Sequence, residues 1–352
     1  MLKLSRQTDV EQVSTGTNEH RILMIYDLSS QPFSVGDILF YQEASLVLRE
    51  RLSASMVDFA LVYDPKNPAL PFFTSIKEKN ATYHLSSILP LGQVNQYHGS
   101  LFLFNSYLHL QRLIASCADL YHAWPPSWQT DRKYQYYTII NDLLYNYYKE
   151  HGAIPHLSCC QSIIDWARAF YREHISPLAP VTVQVRNNKM LHTHRNSRLE
   201  CWLEFFRHCE ERYPVKFVVV CSLAEVDDRL RQCPNAIIAK DYHTGIEHDL
   251  ALIQTAAIHT GASSGPGVIA LFNTKPYLFV NTDMAPHLYR GIVKEDGFLR
   301  HYFAGPLQRF SVGSETTELL ITEFARMWSA VDVDSWKKQE DKSENDFYSW
   351  LR

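Results

Sequence analysis

The sequence predicts an α/β protein built from two Rossmann-like domains that face a central cleft. Short apolar segments alternate with helical ones over residues 21–64 and again over 181–281, an order typical of parallel sheets covered by helices. The chain has 352 residues, which is enough for two domains with separate cores. Proline-rich breaks at 124–128 and 176–180 separate the two alternating regions.

These breaks and the composition predict five parts of the chain. They are a flexible polar leader over 1–19, a first Rossmann-like domain over 20–125, a helical connector over 126–180, a second Rossmann-like domain over 181–330 and a charged tail over 331–352.

The first domain is predicted from a strand–loop–helix–strand unit. Its predicted elements are a strand over 21–27, a loop over 28–36, a helix over 37–52, strands over 57–63 and 101–104, and a helix over 106–117. Asp37 favours a helix start, either as the N-cap, where aspartate accepts hydrogen bonds from the first amides of a helix, or as an acid in the first turn.

The rest of the chain predicts two connector helices and a second alternation of strands and helices. Connector helices are predicted over 133–151 and 162–174. Strands are predicted over 181–185, 215–221, 236–239 and 277–281, and helices over 198–213, 224–233, 249–257 and 319–328.

A glycine-rich turn, residues 260–268, joins an apolar segment to a helix-like one. Small residues that open a helix leave backbone N–H groups at the positive end of its dipole, where anions bind. We therefore predict that this turn binds a phosphate or a sugar through Ser263, Ser264, Gly265, Pro266 and Gly267. The alternative is a plain tight turn in which Ser264 is the helix N-cap.

Composition argues against several classes of protein. A net charge of −4 gives no global attraction to nucleic acid. The seven cysteines form no CxxC pair, so neither a zinc site nor a disulfide framework is favoured. The sequence shows no signal peptide and no run of the ~18 apolar residues that a transmembrane helix needs. We expect a cytoplasmic protein, and peripheral contact with a membrane stays compatible with the sequence.

Two motifs resemble those of the bacterial heptosyltransferases of glycosyltransferase family 9. Residues 34–39 (SVGDIL) resemble their Gly-Asp loop, and residues 263–270, followed by Lys275 and Pro276, are similar to their donor-binding turn. Ser263 and Val268 stand where that family commonly has an acidic residue and a histidine. The resemblance implies a GT-B architecture, in which the first domain binds an acceptor and the second a nucleotide-sugar, with no metal or other cofactor.

The resemblance implies that Asp37 is the general base that removes the acceptor proton during an inverting transfer. Its alternative role is that of a helix N-cap. The segment that contains Arg186 resembles the His-x-Arg loop of fucosyltransferases, with Gln184 in place of the histidine. A guanidinium there can hold diphosphate oxygens bidentately, and the alternative is a surface ion pair. Lys189 and Arg195 are further candidates for this contact.

Asp241 and His243, with the nearby Thr244 and Glu247, follow a predicted strand at a position where Rossmann-like domains contact a base or ribose. A metal site is not favoured. His192 and His194 have no acidic partner at a firm spacing. The segment 332–334 (DVD) resembles the metal-binding Asp-x-Asp of another glycosyltransferase class, but it lies in the charged tail and is expected to be solvated surface.

The sequence thus predicts a metal-independent, inverting glycosyltransferase that moves a sugar from a nucleotide-sugar to a glycan or another hydroxyl acceptor. The resemblance implies a setting in polysaccharide biosynthesis, and no nucleic-acid partner is expected. Two alternatives stay open: a nucleotide-sugar epimerase or hydrolase of the same architecture, and a non-catalytic binding protein that keeps the fold.

Overall fold

Two sheets rich in parallel strands, one of four strands and one of eight, organise the described chain. The computed structural model describes residues 20–28, 34–64, 85, 87–126, 128, 136–189, 193–282 and 290–332. The predicted leader, most of the predicted tail and His192 lie outside the described residues. Helices pack on both sheets, so the predicted α/β class with two Rossmann-like domains is confirmed.

The first domain is a parallel sheet with strand order β3-β2-β1-β4. Its elements are β1 (Arg21–Asp27), α1 (Val35–Leu52), β2 (Met56–Val62), β3 (His98–Phe104), α2 (Tyr107–Ser116) and β4 (Tyr121–Trp124). The strand order turns around between β1 and β4. The carboxyl ends of these two strands therefore flank a crevice of the kind in which α/β sheets bind ligands.

The connector consists of two helices that pack on different domains. The helix α3 (Tyr136–His151) lies beside the end of α1, where Arg51 and Glu150 form an ion pair at 2.8 Å. The helix α4 (Gln161–His174) lies on the second domain, and Tyr171 on it donates a hydrogen bond of 2.6 Å to the carbonyl of Leu252.

The second domain is a sheet with strand order β10-β11-β12-β9-β8-β5-β6-β7. Its elements are β5 (Ala179–Gln184), α5 (Leu199–Glu210), β6 (Val215–Val219), α6 (Asp228–Arg231), β7 (Ala236–Ile238), α7 (Ile246–Thr255), β8 (Ile258–Ala262), α8 (Val268–Leu271), β9 (Tyr277–Val280), β10 (Val293–Glu295), β11 (Phe298–Arg300), β12 (Gln308–Ser311) and α9 (Thr317–Trp328). The hairpin β10–β11 extends six parallel strands. Their order reverses between the neighbouring strands β5 and β8, as in doubly wound folds.

The structure corrects the predicted bounds of two helices that carry candidate site residues. The helix α1 begins at Val35 and not at Asp37, because Ser34 is its N-cap. The helix α7 begins at Ile246 and not at Asp249, and it ends before the buried strand β8, which contains residues predicted to belong to the turn. The glycine-rich turn is therefore limited to residues 263–267.

Several short elements differ from the prediction or were missing from it. The predicted helix over 224–233 divides into a 3-10 turn and α6, because the Asp227 side chain accepts a hydrogen bond from the Arg229 amide and so caps a new helix. The strands β4, β8, β10, β11 and β12 were not predicted. Each has three to five residues, which is too short to display a clear period.

One buried carboxylate connects all four strands of the first sheet. Asp58 on β2 is 0% exposed. It accepts two hydrogen bonds from Arg21 on β1, at 2.7 and 2.6 Å, one from the Tyr121 hydroxyl on β4 at 2.8 Å, and one from the Ser100 amide on β3. A buried charge is stable only when it is paired and hydrogen-bonded. These contacts therefore hold the strands in register.

A second buried titratable group lies in the second sheet. His259 on β8 is 2% exposed, and its Nδ1 lies 3.0 Å from Thr182 Oγ1 on β5. Burial lowers the pKa of His259 to about 3, because charging the ring would require a cation in the apolar interior. The folded protein therefore keeps this ring neutral, whereas the unfolded chain charges it below its usual pKa of about 6.5.

We predict that Asp58→Ala lowers the free energy of unfolding by about 3–5 kcal/mol, because it leaves Arg21 without its buried partner. Urea denaturation measures this change. Arg51→Ala is the matched control, since it removes an exposed ion pair and should cost no more than about 1 kcal/mol. Equal effects of the two substitutions would contradict the role given to Asp58.

A second prediction concerns acid stability. Between the folded pKa of about 3 and the unfolded pKa of about 6.5, the unfolded chain binds more protons at His259, so its contribution to stability falls as the pH falls. From pH 7 to pH 5 the loss is about 2 kcal/mol. In His259→Gln the fall in unfolding free energy over this interval should be smaller by that amount. An unchanged pH dependence would contradict the neutral buried ring.

Candidate functional site

The predicted donor-site turn lies at the carboxyl edge of the second sheet, where the strand order reverses. Gln184 is the last residue of β5, and its Nε2 donates a hydrogen bond of 2.9 Å to Ser264 Oγ. This bond joins the end of β5 to the turn that follows β8. Ligands of doubly wound folds bind outside the strand ends at such a reversal.

Several backbone amides of the glycine-rich turn make no hydrogen bond to another backbone group of the described chain. Ser263 donates its N–H to the carbonyl of Val280 at 3.0 Å, and Val268 donates to Gly265 at 3.2 Å. Within the described part of the chain, the amides of Ser264, Gly265 and Gly267 donate no backbone hydrogen bond. These three N–H groups can therefore serve as donors to a ligand oxygen.

The helix after the turn is shorter than the sequence indicates. The helix α8 has four residues, and its N-cap is Gly267. The alternative in which Ser264 caps this helix is therefore wrong. A single helical turn sums few peptide dipoles, so an anion here would depend on the individual amides more than on a macrodipole.

The two motifs that resemble heptosyltransferase motifs meet in space. An ideal Cβ on Gly36 would lie 3.4 Å from the Cα of Gly265 and 3.1 Å from a methyl carbon of Val268. An ideal Cβ on Gly265 would lie 3.0 Å from the amide nitrogen of Gly36 and from the Cβ of Val35. The first turn of α1 thus touches the glycine-rich turn backbone to backbone, and a side chain on either glycine would require its neighbours to shift by a few tenths of an ångström.

Asp37 follows Gly36 in the first turn of α1 and is 6% exposed. The hydroxyl of Ser34 accepts a hydrogen bond of 3.5 Å from the Asp37 amide. Ser34 and not Asp37 is therefore the N-cap, and the N-cap interpretation of Asp37 is wrong. Asp37 is an acid in the first turn of this 18-residue helix.

Packing alone accounts for Gly267. An ideal Cβ at this position would lie 2.5 Å from the ring of Phe279 and 3.2 Å from Nε2 of His259. This nitrogen is buried and has no hydrogen-bond partner among the described residues. Gly267 therefore lets the turn lie flat on β8 and β9, which is a structural reason for the glycine that does not involve a ligand.

The loop after β5, residues 186–198, is closed by paired hydrogen bonds. The Arg186 amide donates to Ser197 Oγ at 3.0 Å, and the Ser197 amide donates to the Arg186 carbonyl at 2.8 Å. Asn188 and Asn196 form a second pair, at 2.9 and 2.8 Å. Arg186 is half-buried at the base of this loop, at the same sheet edge as the glycine-rich turn.

The other two predicted cations of this loop lie further out. Arg195, in the 3-10 turn Thr193–Arg195, is half-buried. Lys189 is exposed.

Asp241 and His243 lie at the far edge of the second sheet, after β7, which β6 separates from β5. The Asp241 carboxylate binds the Arg231 guanidinium at 2.7 and 2.9 Å, and this contact lowers the pKa of Asp241. His243 has a left-handed backbone conformation, with φ of 58°. The structure does not bring either residue to the glycine-rich turn.

Glu247, which belongs to the same predicted group, borders a cavity between the domains. The cavity has a volume of about 470 Å³. Its first-domain wall includes Leu89, Val94 and Leu101, and its second-domain wall includes Ile163 and Glu247. The first domain thus contributes apolar side chains to this cavity, and the second domain contributes the carboxylate of Glu247.

Two acidic residues that the sequence did not mark as functional lie at the carboxyl edge of the first sheet. Asp27 ends β1 and accepts a hydrogen bond from the Tyr107 hydroxyl. Asp64 follows β2 and accepts a hydrogen bond of 3.3 Å from the Tyr107 amide. The sequence could have identified them, because each is an aspartate at the end of a predicted strand or directly after it.

The described residues contain neither a metal-binding cluster nor a membrane-spanning helix. No group of three or more His, Cys, Asp or Glu side chains in these ranges has the geometry to hold a metal ion. The same part of the chain contains no helix that is long and apolar enough to cross a membrane.

Solved glycosyltransferase structures are similar to this chain. A family 9 glycosyltransferase from Veillonella parvula is 11% identical, with a TM-score of 0.51 over 89% of this chain and 90% of that chain. The ADP-heptose LPS heptosyltransferase II of E. coli is 11% identical, with a TM-score of 0.54 over 87% of this chain and 98% of that chain.

The fucosyltransferase NodZ from Bradyrhizobium is a more distant match. It is 13% identical, with a TM-score of 0.37 over 72% of this chain and 93% of that chain, and this likeness is too low to support a conclusion. No protein-family model and no curated protein matches the chain. The similarity to the two heptosyltransferase-like structures establishes the two-domain GT-B fold of glycosyltransferases.

Proposed function

We propose that this protein is a glycosyltransferase that moves a sugar from a nucleotide-sugar to the hydroxyl group of a glycan or another acceptor, without a metal and with inversion. The contact between Gly36 and Gly265 is the observation that carries this proposal. Through this contact, the first turn of α1, which contains the buried Asp37, lies beside the glycine-rich turn of the second domain. Among the described residues, three amides of that turn donate no backbone hydrogen bond. Transfer between two substrates requires such a meeting of an acceptor side and a donor side.

In this proposal, Asp37 is the general base. The acceptor oxygen attacks the anomeric carbon while Asp37 takes the hydroxyl proton. The bond between the anomeric carbon and the diphosphate oxygen breaks, and its electron pair leaves with the nucleoside diphosphate. Asp37 lies in the first turn of α1, and its burial excludes the water that would compete for the carboxylate.

Arg186 and the amides of Ser264, Gly265 and Gly267 are proposed to hold the diphosphate. A guanidinium binds two phosphate oxygens in one plane, and backbone N–H groups bind oxygens without rotational freedom of their own. Both sets of donors lie at the carboxyl edge of the second sheet. Their positive character would stabilise the charge that develops on the leaving group.

Glu247 is proposed to contact the nucleoside of the donor. It borders the cavity between the domains, and its carboxylate can accept hydrogen bonds from ribose hydroxyls. Lys189 and Arg195 are proposed as outer contacts of the phosphate groups. Asp241 and His243 have less support, because Asp241 is bound to Arg231 at the far edge of the sheet.

We predict that Asp37→Asn slows sugar transfer by about 10²–10⁴-fold, the usual contribution of a general base. Release of nucleoside diphosphate from ADP-, GDP- and UDP-sugars measures the rate, with and without sugar acceptors. The affinity for the donor should stay unchanged, because asparagine has nearly the same shape. Transfer at the wild-type rate would exclude Asp37 as the base.

The same assay distinguishes the alternatives. An epimerase or hydrolase would convert the nucleotide-sugar at a rate that no acceptor increases. A non-catalytic binding protein would bind a nucleotide-sugar and leave it intact in both the wild type and Asp37→Asn.

A further prediction concerns Arg186. Arg186→Gln should weaken nucleoside diphosphate binding by about 10–100-fold, since hydrogen bonds to a charged group contribute about 1.5–3 kcal/mol. Isothermal titration calorimetry with ADP, GDP and UDP measures the change. Arg51→Gln is the matched control, because Arg51 pairs with Glu150 on the connector, away from the proposed site. Equal affinities in both variants would exclude a diphosphate contact.

A further inference from the structure

Glu315 is a fully buried acid that no step of the proposed mechanism uses. It is 0% exposed and lies between the end of β12 at Ser311 and the start of α9 at Thr317. Because β12 runs parallel to β9 in the second sheet, this segment reaches the same carboxyl edge as the glycine-rich turn.

The contacts of Glu315 join three loops at this edge. Its Oε1 accepts a hydrogen bond from the Arg198 amide at the end of the loop 186–198. Its own amide donates a hydrogen bond of 3.2 Å to Asn281 Oδ1, directly after β9. Asn281 Nδ2 in turn donates 3.1 Å to the carbonyl of Asn196, which returns to the loop after β5.

The contact with Arg198 lies at the start of a helix. Arg198 is the N-cap residue of α5, and its own side chain makes no capping hydrogen bond. The carboxylate of Glu315, 117 residues away in the sequence, accepts a hydrogen bond from the amide of Arg198 itself and so satisfies one backbone donor at the start of this helix.

A chain of hydrogen bonds within the loop connects Glu315 to the backbone of Arg186. Asn196, held by Asn281, pairs with Asn188, and the neighbouring Ser197 pairs with Arg186 in both directions. Movement of Arg198 and Asn196 would therefore displace the base of the loop. The loop carries four cations, Arg186, Lys189, Arg195 and Arg198, and the first three are the predicted phosphate contacts.

We propose that Glu315 is a positioning residue that holds the cationic loop 186–198 in register with the glycine-rich turn for binding of the donor diphosphate. This inference rests on the proposed function, because it requires that the loop bind a diphosphate. Glu315 itself does not contact the substrate in this proposal. Its carboxylate fixes backbone groups of the loop, and the loop places Arg186.

The experiment compares Glu315→Ala, Glu315→Gln and the wild type. Alanine removes the acceptor for the Arg198 amide, whereas the glutamine amide oxygen can replace it. Glu323→Ala is the matched control. Glu323 is an acid on α9 with 7% exposure that pairs with Arg309 and Arg326, away from the loop. Hydrogen exchange of segments 186–189 and 193–198 reports loop order, and calorimetry with inorganic pyrophosphate, ADP, GDP and UDP reports diphosphate binding.

We expect Glu315→Ala to accelerate amide exchange in the loop and to weaken binding of the diphosphates by about tenfold, the effect of losing roughly one hydrogen bond to a charged group. Glu315→Gln should restore most of the affinity, and Glu323→Ala should leave both readouts unchanged at temperatures where it is folded. A purely structural role would lower the melting temperature of Glu315→Ala without changing the affinity of the folded protein.

The outcomes separate the two proposals. If the wild type binds a diphosphate and Glu315→Ala binds it equally well, the positioning role is wrong and the proposed function stands. If exchange in the loop is unchanged in Glu315→Ala, or if Glu323→Ala has the same effects, the positioning role is also wrong. If the wild type binds none of the four probes, the proposed function is wrong, and the positioning role for diphosphate fails with it.

Discussion

The close approach of Gly36 and Gly265 is the constraint on which the arrangement of the site depends. Glycine has no Cβ and therefore permits a close approach of two backbones, and here the segments in contact are the start of α1 and the turn after β8. The contact places the first turn of α1, which contains Asp37, against the turn 263–267 of the second domain.

Burial of α1 makes this contact rigid. Every residue from Gly36 to Leu48 is buried, because Tyr41 packs on Tyr26 of the first sheet and Phe40 packs on Phe272 of the second domain, each with ring centroids 5.1 Å apart. The burial of α1 also includes an acidic side chain, Glu43, which is 0% exposed. Burial raises the pKa of Glu43 well above its usual range and favours the neutral carboxyl. A helix held in this way cannot shift without moving both domains.

Periodicity and turn chemistry predicted the two domains, the end of α1 and the position of the glycine-rich turn. They did not predict β8, since His259, Thr260 and Gly261 lack the apolar alternation of a strand, and their pairing with β5 and β9 makes them one. The contact of Gly36 with Gly265 and the hydrogen bonds of Glu315 were also beyond prediction. Each depends on residues far apart in the sequence, and local propensity carries no information on such pairs.

A thermal-shift screen of the wild-type protein against GDP, UDP, ADP, CMP and their common sugar conjugates is the most direct measurement of the central claim. The account predicts that one nucleotide and its sugar conjugate raise the melting temperature, since a ligand at about 100 times its dissociation constant stabilises the fold by about 2.7 kcal/mol. A folded protein that none of these ligands stabilises would contradict the donor site and favour a binding protein that has kept only the fold.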